Sequence, residues 1–485
     1  MKPSILILLL ALFCTHACTD NFEEINTNPN SPDKVNPNLI LSNTLYQLSD
    51  NLTRQALDRG NGLAQYTAKF DFNQTERYDF DSNVNYWNLL YRMLREVNTQ
   101  IELGKEQGNA GYEAIGLTLK SVIASQLTDL WGNVPYSEAI QGKSDNRFKP
   151  AYDSQEAIYK TDEGILNNLR KANELLKNTN DLIAGDIMYD GDFLLWRKFT
   201  NTLRLRYLLR ISNVEDVSAE MQQIVDEEPV FENNAESALI DYLPSAPNQF
   251  PLHTVRFGDF NFIKMSDTME EVLNTLNDPR KQVWFRPTSV SVEAGSPAYK
   301  GLPVGLFRDS QAQLGIDFND VSLLGENYRE IPDAVDAVII SYSELQFILA
   351  EAAHRGLITG GNSQAEAHYN LGITASIAYY GITGSPVGDY LQNPEIIFDE
   401  SKAVEQIITQ KWLANFFVGY EGWLEFRRTG LPDLPPSMDN VNNDRVPTRY
   451  FYPTDEQALN AESYQDVISA MGGTDNINSP LWWDR

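Results

Sequence analysis

Cysteine is nearly absent from this 485-residue sequence: it has two, Cys14 and Cys18, and both lie within the first 18 residues. A disulfide framework and a catalytic thiol are therefore excluded for the rest of the chain. The composition, with 42% hydrophobic and 11% aromatic residues, is typical of a protein that folds by burying apolar surface.

Basic residues are scarce as well. The sequence has 38 Lys and Arg against 67 Asp and Glu, which gives a formal net charge of -29. Because so acidic a surface repels phosphate backbones, we expect no nucleic-acid partner.

Signatures of catalysis and of metal binding are few. The chain has four histidines, and the single Glu351-x-x-His354 pair lacks the second copy that a di-metal helix site requires. It has no glycine-rich phosphate loop and no nucleophile elbow. Close acidic pairs such as Asp79 and Asp81 are expected at a solvated surface, because a glycosidase needs two carboxylates facing each other across a cleft. We therefore predict that the protein is not an enzyme.

No cofactor is expected, although two acidic stretches could bind a structural calcium ion. Asp186, Asp190 and Asp192 could supply oxygen ligands, and so could residues 439–444. The second stretch lacks the glycine and the distal glutamate of an EF-hand loop, and turn or helix-cap roles are favoured for both.

Long hydrophobic runs are absent except at residues 5–13, which follow Lys2. This run is too short to span a bilayer and has the length of a signal-peptide core. Ala17 before Cys18 is the arrangement that a lipoprotein signal peptidase needs, although Thr15 is a poorer match than an aliphatic residue. We predict a signal peptide at 1–17, a lipidated N-terminus and tether at 18–38, and one domain at 39–485. Ordinary secretory cleavage after Ala17 is the alternative.

Helical periodicity, in contrast, is abundant. In residues 113–139 apolar side chains recur at helical spacing as far as Leu130, and Gly132 and Pro135 then end the helix. We interpret this stretch as a buried scaffold helix. Similar patterns predict further helices at about 39–57, 83–104, 153–178, 193–211, 266–276, 341–356, 363–380, 401–417, 420–428 and 454–471.

These helices fall mostly into antiparallel pairs with short connections. Such pairs are similar to helical-repeat units, in which each pair needs neighbours to cover its apolar face. Residues 229–335 interrupt the array, because Pro, Gly and Asn are frequent there and helical periodicity is lost outside 266–276. We predict a mainly α domain of helix pairs that is interrupted by a loop-rich insertion.

A basic strip lies on the predicted helix after Asp192, which can cap it. In so acidic a protein we expect this strip to pair with neighbouring carboxylates, and a site for an anionic ligand is the alternative. Its members are Arg197, Lys198, Arg204, Arg206 and Arg210.

Aromatic residues in polar loops are the main sign of a function. Segments 66–82 and 248–308 both have this composition. Flat rings stack on sugar faces or on peptide side chains, and polar neighbours add directional hydrogen bonds, although many such rings belong to the core. The ligand-binding candidates are Phe72, Tyr78, Trp284 and Tyr299 for stacking, with Asn73, Asn248 and Arg256 as polar partners.

Several segments together resemble one family, the SusD/RagB-like nutrient-binding outer-membrane lipoproteins, and within it the second SusD-like subfamily. Besides Cys18, the segments that carry the resemblance are 23–32 (EEINTNPNSP), 130–139 (LWGNVPYSEA), 196–206 (WRKFTNTLRLR), 277–280 (NDPR), 299–305 (YKGLPVG), 343–353 (SELQFILAEAA), 410–412 (QKW), 422–430 (GWLEFRRTG) and 482–484 (WWD).

The resemblance implies tetratricopeptide-like helix pairs that support a loop-rich binding face. It also implies a lipid-anchored protein on the outside of the outer membrane, which captures a glycan or a peptide. The implied partner is a SusC-like TonB-dependent barrel transporter, over which such proteins close as a lid. Two functions of other classes stay open, a surface glycan hydrolase and a helical-repeat scaffold that binds only protein.

Overall fold

The computed structural model describes residues 36–484, so the predicted signal peptide, Cys18 and most of the tether lie outside the described residues. In this part of the chain the helices of six or more residues are α1 (Pro37–Gln55), α2 (Val84–Gln107), α3 (Ala110–Trp131), α4 (Gln155–Lys160), α5 (Ile165–Asn178), α6 (Phe193–Ile211), α7 (Ser218–Glu227), α8 (Asp267–Thr275), α9 (Arg308–Leu314), α10 (Tyr342–His354), α11 (Gly361–Tyr379), α12 (Ser385–Leu391), α13 (Ala403–Ala414), α14 (Glu421–Thr429), α15 (Thr454–Leu459) and α16 (Ala461–Ala470).

The strands are short and form three antiparallel pairs within the described residues. They are β1 (Thr67–Lys69), β2 (Val134–Pro135), β3 (Tyr152–Asp153), β4 (Ala238–Ile240), β5 (Ile263–Met265) and β6 (Ala337–Ile340). β1 pairs with β5, β2 with β3 and β4 with β6, and each pair joins segments that are far apart in sequence except β2 and β3.

Helix α3 is the buried scaffold helix that the sequence predicts. It begins at the cap residue Asn109, whose side chain accepts from the backbone N–H of Tyr112, and it ends at Gly132 with φ +87°. Nearly all of its residues are buried, because α2 and α5 pack against it and α6 contacts it as well. A helix that is apolar around its whole circumference belongs in the interior of a large core, and α3 has that place here.

Antiparallel helix pairs make up the remainder of the main core. α2 packs on α3, α5 on α6, and α10 on α11, with α13 against α10. The predicted helix pairs and the loop-rich stretch between α7 and β6 are therefore confirmed.

Two helices that were predicted to be continuous are each divided into two in the structure. The helix predicted at 153–178 is divided into α4 and α5, because the chain turns tightly at Gly164, where an added Cβ would lie 2.8 Å from the Ile158 carbonyl oxygen. The helix predicted at 454–471 is likewise divided into α15 and α16 by Asn460, whose backbone is not helical.

The basic strip of α6 is paired with carboxylates, as predicted. All five of its cations form an ion pair, and the arrangement leaves none of them for an anionic ligand. The pairs are Arg197–Glu228, Lys198–Glu236, Arg204–Glu220, Arg206–Glu344 and Arg210–Asp129.

Candidate functional site

The candidate site is built on the β1–β5 strand pair. A third segment extends this small sheet, because the Met265 backbone N–H donates to the Ser322 carbonyl oxygen at 2.9 Å. Beneath it lies a hydrophobic cluster separate from the main core, made of Ala68, Leu302, Val304, Leu306 and Val321. The small sheet and this cluster thus form a unit with its own hydrophobic core, which holds loops that are distant in sequence side by side.

Four phenylalanine rings cover one part of this unit, and we call them the aromatic platform: Phe70, Phe72, Phe262 and Phe318. Their ring centroids are separated by 5.7 Å for Phe72 and Phe262, 5.8 Å for Phe262 and Phe318, and 5.2 Å for Phe70 and Phe318. All three contacts are edge-to-face, the geometry that the aromatic quadrupole favours.

Phe72 is the most accessible ring of the platform, with 65% of its surface exposed. Its backbone has φ +58°, a left-handed conformation that costs a bulky residue roughly 1–3 kcal/mol. The neighbouring loop holds it there, because the Asn73 side-chain amide donates to the Leu306 carbonyl oxygen at 2.9 Å. A large apolar ring held in water by a strained backbone contributes little to the core and is suited to bind a ligand.

A fifth ring lies on the adjacent loop. Phe307 is 44% exposed, and the Arg77 guanidinium carbon lies 4.7 Å from its ring centre. The backbone N–H of Phe307 donates to the Asp439 carboxylate at 2.7 Å. Arg77, whose Nε donates to the Asp439 carbonyl oxygen at 3.0 Å, therefore places a cation beside a partly exposed aromatic ring.

Lys264 supports the platform from below. Its ammonium nitrogen lies 3.5 Å from the centre of the Phe318 ring and donates to the Phe318 carbonyl oxygen at 3.0 Å. Burial lowers the pKa of this amine to about 7. The position of Phe318 is thus fixed both by a backbone contact and by a cation–π contact.

Three of the predicted ligand-binding residues are buried and need correction. Trp284 is 0% exposed and packs against Phe416 at 4.9 Å between ring centroids, so it belongs to the core and cannot stack on a ligand. Asn73 and Tyr78 are also buried. They position the loop instead, since the Tyr78 hydroxyl accepts from the Ser437 backbone N–H at 3.2 Å.

The other predicted residues are accessible. Asn248 and Arg256 are exposed and Tyr299 is half-buried, with the Lys281 ammonium 5.3 Å from its ring centre. In the described part of the chain no ring contact joins Tyr299 to the aromatic platform, so these three stay predictions. The sequence analysis missed Phe262, Phe307 and Phe318 as site residues, because only the pairing of distant strands brings them together with Phe72.

The two acidic stretches considered for calcium have other partners. In the second, Asp439 accepts from the Phe307 backbone N–H and Asp444 from the Asn440 side-chain amide. The Asp186 carboxylate accepts from the backbone N–H groups of Met188, Tyr189 and Gly191 and from the Trp196 indole. Asp192 caps α6. Because these N–H donors occupy the oxygens, an ion would have to displace them, and within residues 36–484 no three acidic, His or Cys side chains form a cluster that could hold a metal.

A groove of about 560 Å³ lies away from the platform rings, between α8 and α13. Six of its lining residues are acidic, and burial raises the pKa of one of them, Asp267. Its acidic lining residues are Asp267, Glu271, Glu395, Asp399, Glu405 and Asp433.

Comparison with known proteins identifies the architecture. The SusD-like family model, described as starch-binding and associating with the outer membrane, matches residues 29–453. None of the curated proteins matches the chain.

Solved structures share the fold over nearly the whole chain. A SusD homolog from Bacteroides fragilis is 26% identical with a TM-score of 0.81, and the match covers 93% of this chain and 100% of that one. An outer-membrane protein from Bacteroides vulgatus, whose description points to nutrient binding, is 27% identical with a TM-score of 0.82 at 93% and 100% coverage. A chitin-binding protein is 27% identical with a TM-score of 0.80, again at 93% and 100% coverage. The predicted fold class is thereby confirmed.

The structure also bears on membrane attachment. Among the helices of residues 36–484, none combines the length and the apolar character that crossing a bilayer requires.

Proposed function

Because the chain belongs to the SusD-like family of nutrient-binding, outer-membrane-associated proteins, we propose that it captures an oligosaccharide on the aromatic platform without cleaving it. The observation that carries this proposal is the exposed Phe72 ring, held in a strained backbone conformation beside Phe262 and Phe318. Sugar rings present apolar C–H faces that pack on such rings, and reversible stacking suits a protein that must release what it binds.

The ligand that we propose is a neutral oligomer of pyranose sugars. The family description names starch, and a solved relative is a chitin-binding protein. Both polymers consist of pyranose units that can stack on aromatic rings, and their acetamido groups or hydroxyls would bond to Arg77 beside Phe307. Maltohexaose and chitohexaose distinguish the two possibilities.

Delivery completes the proposed function. We infer that Cys18 carries a lipid that anchors the chain to the outer membrane facing the cell exterior, and that a SusC-like TonB-dependent barrel receives the ligand. The predicted tether at 18–38 would join Cys18 to the folded domain, whose first helix starts at Pro37.

Calorimetric titration of both hexasaccharides tests the site. Phe72→Ala is expected to weaken binding of the preferred sugar by at least roughly tenfold, since loss of a central aromatic contact costs about 1.4 kcal/mol or more. The matched control is Phe148→Ala, which removes a ring that is 74% exposed on the loop between β2 and β3. Equal affinities of the two variants would contradict the site.

The same titrations distinguish the other functions. Shortened sugars in the calorimeter cell after incubation would favour a glycan hydrolase. Its catalytic carboxylates would then be sought in the groove between α8 and α13. A protein that binds a barrel but neither sugars nor peptides would be a scaffold.

A further inference from the structure

One buried acid beneath the candidate site is not paired with a cationic side chain. Glu76 is 2% exposed, and in the described residues it forms no ion pair. Both of its carboxyl oxygens accept from the Lys69 backbone N–H at 2.9 Å, and the Gly305 backbone N–H is a second donor. The hydrogen-bond donors to the carboxyl group are therefore backbone N–H groups and not cationic side chains.

These two donors belong to different ring-bearing loops. Lys69 ends β1 and leads directly into Phe70 and Phe72, whereas Gly305 leads into Phe307. A single carboxyl group thus connects the loop of Phe72 with the loop of Phe307. A third segment joins them, because the Ser437 hydroxyl donates to the Glu76 carbonyl oxygen at 2.5 Å.

The space around the carboxyl group is closely filled. A Cβ added at Gly62 would lie 2.8 Å from the Glu76 Cγ and 2.9 Å from its carboxyl Oε1, and one at Gly305 would lie 3.0 Å from the backbone carbonyl oxygen of Glu76. Gly305 also has φ +70°, which favours glycine at that position. Water therefore has little room beside the carboxyl group while the loops hold this arrangement.

Burial dominates the electrostatics of Glu76. It raises the pKa of the carboxyl group to about 7, although the charge of Lys69 and the N–H groups of Lys69 and Gly305 act to lower it. The Lys69 ammonium itself donates to the Asp58 carbonyl oxygen. The further charged groups on the surrounding segments are Asp58 and Arg59 before β1, Arg77 beside Glu76, Arg308 beyond Gly305, and Asp439 beyond Ser437.

Linkage gives the sign of the effect. An accessible glutamate has a pKa near 4.5, so the closed arrangement binds a proton more tightly than an arrangement in which water reaches the carboxyl group. By reciprocity, ionisation must favour the more open arrangement.

We propose that Glu76 is a positioning residue for the binding surface, and that its ionisation separates the loops of Phe72 and Phe307 and weakens glycan binding. The inference deepens the proposed function and rests on it for its binding readout. If binding requires the closed arrangement with a protonated Glu76, affinity follows the protonated fraction of Glu76 and falls roughly tenfold from pH 6 to pH 8.

The first experiment needs no ligand. Hydrogen exchange of peptides covering residues 67–78 and 302–308 is measured at pH 6 and pH 8 and corrected for the intrinsic pH dependence of exchange. Loss of protection at pH 8 is expected in the wild type, and Glu76→Gln, which keeps an acceptor oxygen but cannot ionise, is expected to show the same protection at both values. Equal protection of the wild type at both pH values overturns the inference, and it does so even if Glu76→Gln does not fold.

The second experiment is the titration of the preferred hexasaccharide at the same two pH values. Glu76→Gln is expected to reduce the tenfold change to less than about twofold. The matched control is Asp336→Asn, which removes a half-buried carboxyl group next to β6 whose pKa is raised by burial to about 6; it is expected to keep the wild-type pH dependence. If the affinity of Glu76→Gln changes between pH 6 and pH 8 as much as that of the wild type, the inference is contradicted. If the wild type binds no sugar at either pH, the proposed function is contradicted, and the hydrogen-exchange result alone decides on Glu76.

Discussion

Arg210 connects three parts of the main core through one side chain. Its guanidinium is fully buried and donates to Asp129 of α3 at 2.7 Å and to Glu421 of α14. The Trp483 indole and the Tyr159 hydroxyl donate to the same Asp129 carboxylate, each at 2.8 Å. Charges buried in this way are tolerated because nearly every lone pair has a donor.

Arg210→Ala is expected to lower the free energy of unfolding by about 3–5 kcal/mol, because it leaves two buried carboxylates without their cation. Urea denaturation measures this. The control is Arg54→Ala, which removes a partly exposed pair with Asp50 and is expected to cost no more than about 1 kcal/mol. Similar losses in the two variants would show that the buried network contributes no more than a surface pair.

Stability should fall in acid because of a second buried cluster. Burial alone would raise the pKa values of Glu351 and Glu425, but the Arg428 guanidinium lowers both below their ordinary range. A carboxyl group whose folded pKa is depressed contributes stability above its unfolded pKa, near 4.5, and loses it as pH falls further. Glu76 has the opposite sign, since its raised pKa favours the folded state at low pH and loses that contribution as pH rises through about 7.

Urea midpoints at pH 8, 6, 4 and 3 check the balance of these effects. In the wild type we expect the urea midpoint to fall most steeply below pH 4.5. Between pH 6 and pH 8 the urea midpoint of the wild type should decrease by a smaller amount, and this decrease should be absent in Glu76→Gln. A midpoint that is constant from pH 6 down to pH 3 would contradict the depressed pKa values.

At the scale of elements, close helix packing depends on small residues at contact points. α10 and α11 form such a pair, and Gly372 of α11 faces the buried Phe347 ring of α10. An added Cβ at Gly372 would lie 2.7 Å from that ring, which has no room to move because Phe347 is itself fully buried.

Gly372→Ala is therefore expected to destabilise the protein by about 1–3 kcal/mol through overpacking. Gly388 in α12 is the matched control, because nothing lies within 4 Å of a Cβ added there. Gly388→Ala should be neutral or stabilising by up to about 1 kcal/mol, since alanine has the higher helix propensity. Thermal melts of the two variants check the contrast, and equal shifts would contradict it.

The elements that could be predicted from sequence are those whose signals are local. Apolar periodicity and a glycine–proline stop predict α3, and Asp192 predicts the start of α6. The break between α4 and α5 was missed because Gly164 turns the chain without interrupting the apolar pattern on either side. For the site, composition selected both Phe72, which is exposed, and Trp284, which is buried in the core. A ring in a polar segment can point to solvent or to the core, and only the tertiary fold decides which.

At the scale of the molecule, the proposed binding surface and the helical scaffold are separate. Buried helices and their ion pairs form one large core, whereas the aromatic platform rests on the small cluster around Leu302 and Leu306. If the platform binds the ligand as proposed, changes in its loops would alter ligand preference while the helical scaffold stays the same. This separation is consistent with solved relatives that share the fold at only 26–27% identity.

A crystal structure of the protein with the hexasaccharide that binds more tightly tests the central claim most directly. The account predicts a pyranose ring packed on Phe72, at about 4 Å between carbon atoms, with Phe262 or Phe307 contacting the same chain of sugars. Sugar bound only elsewhere, for example in the acidic groove between α8 and α13, with the platform rings still in water, would contradict it.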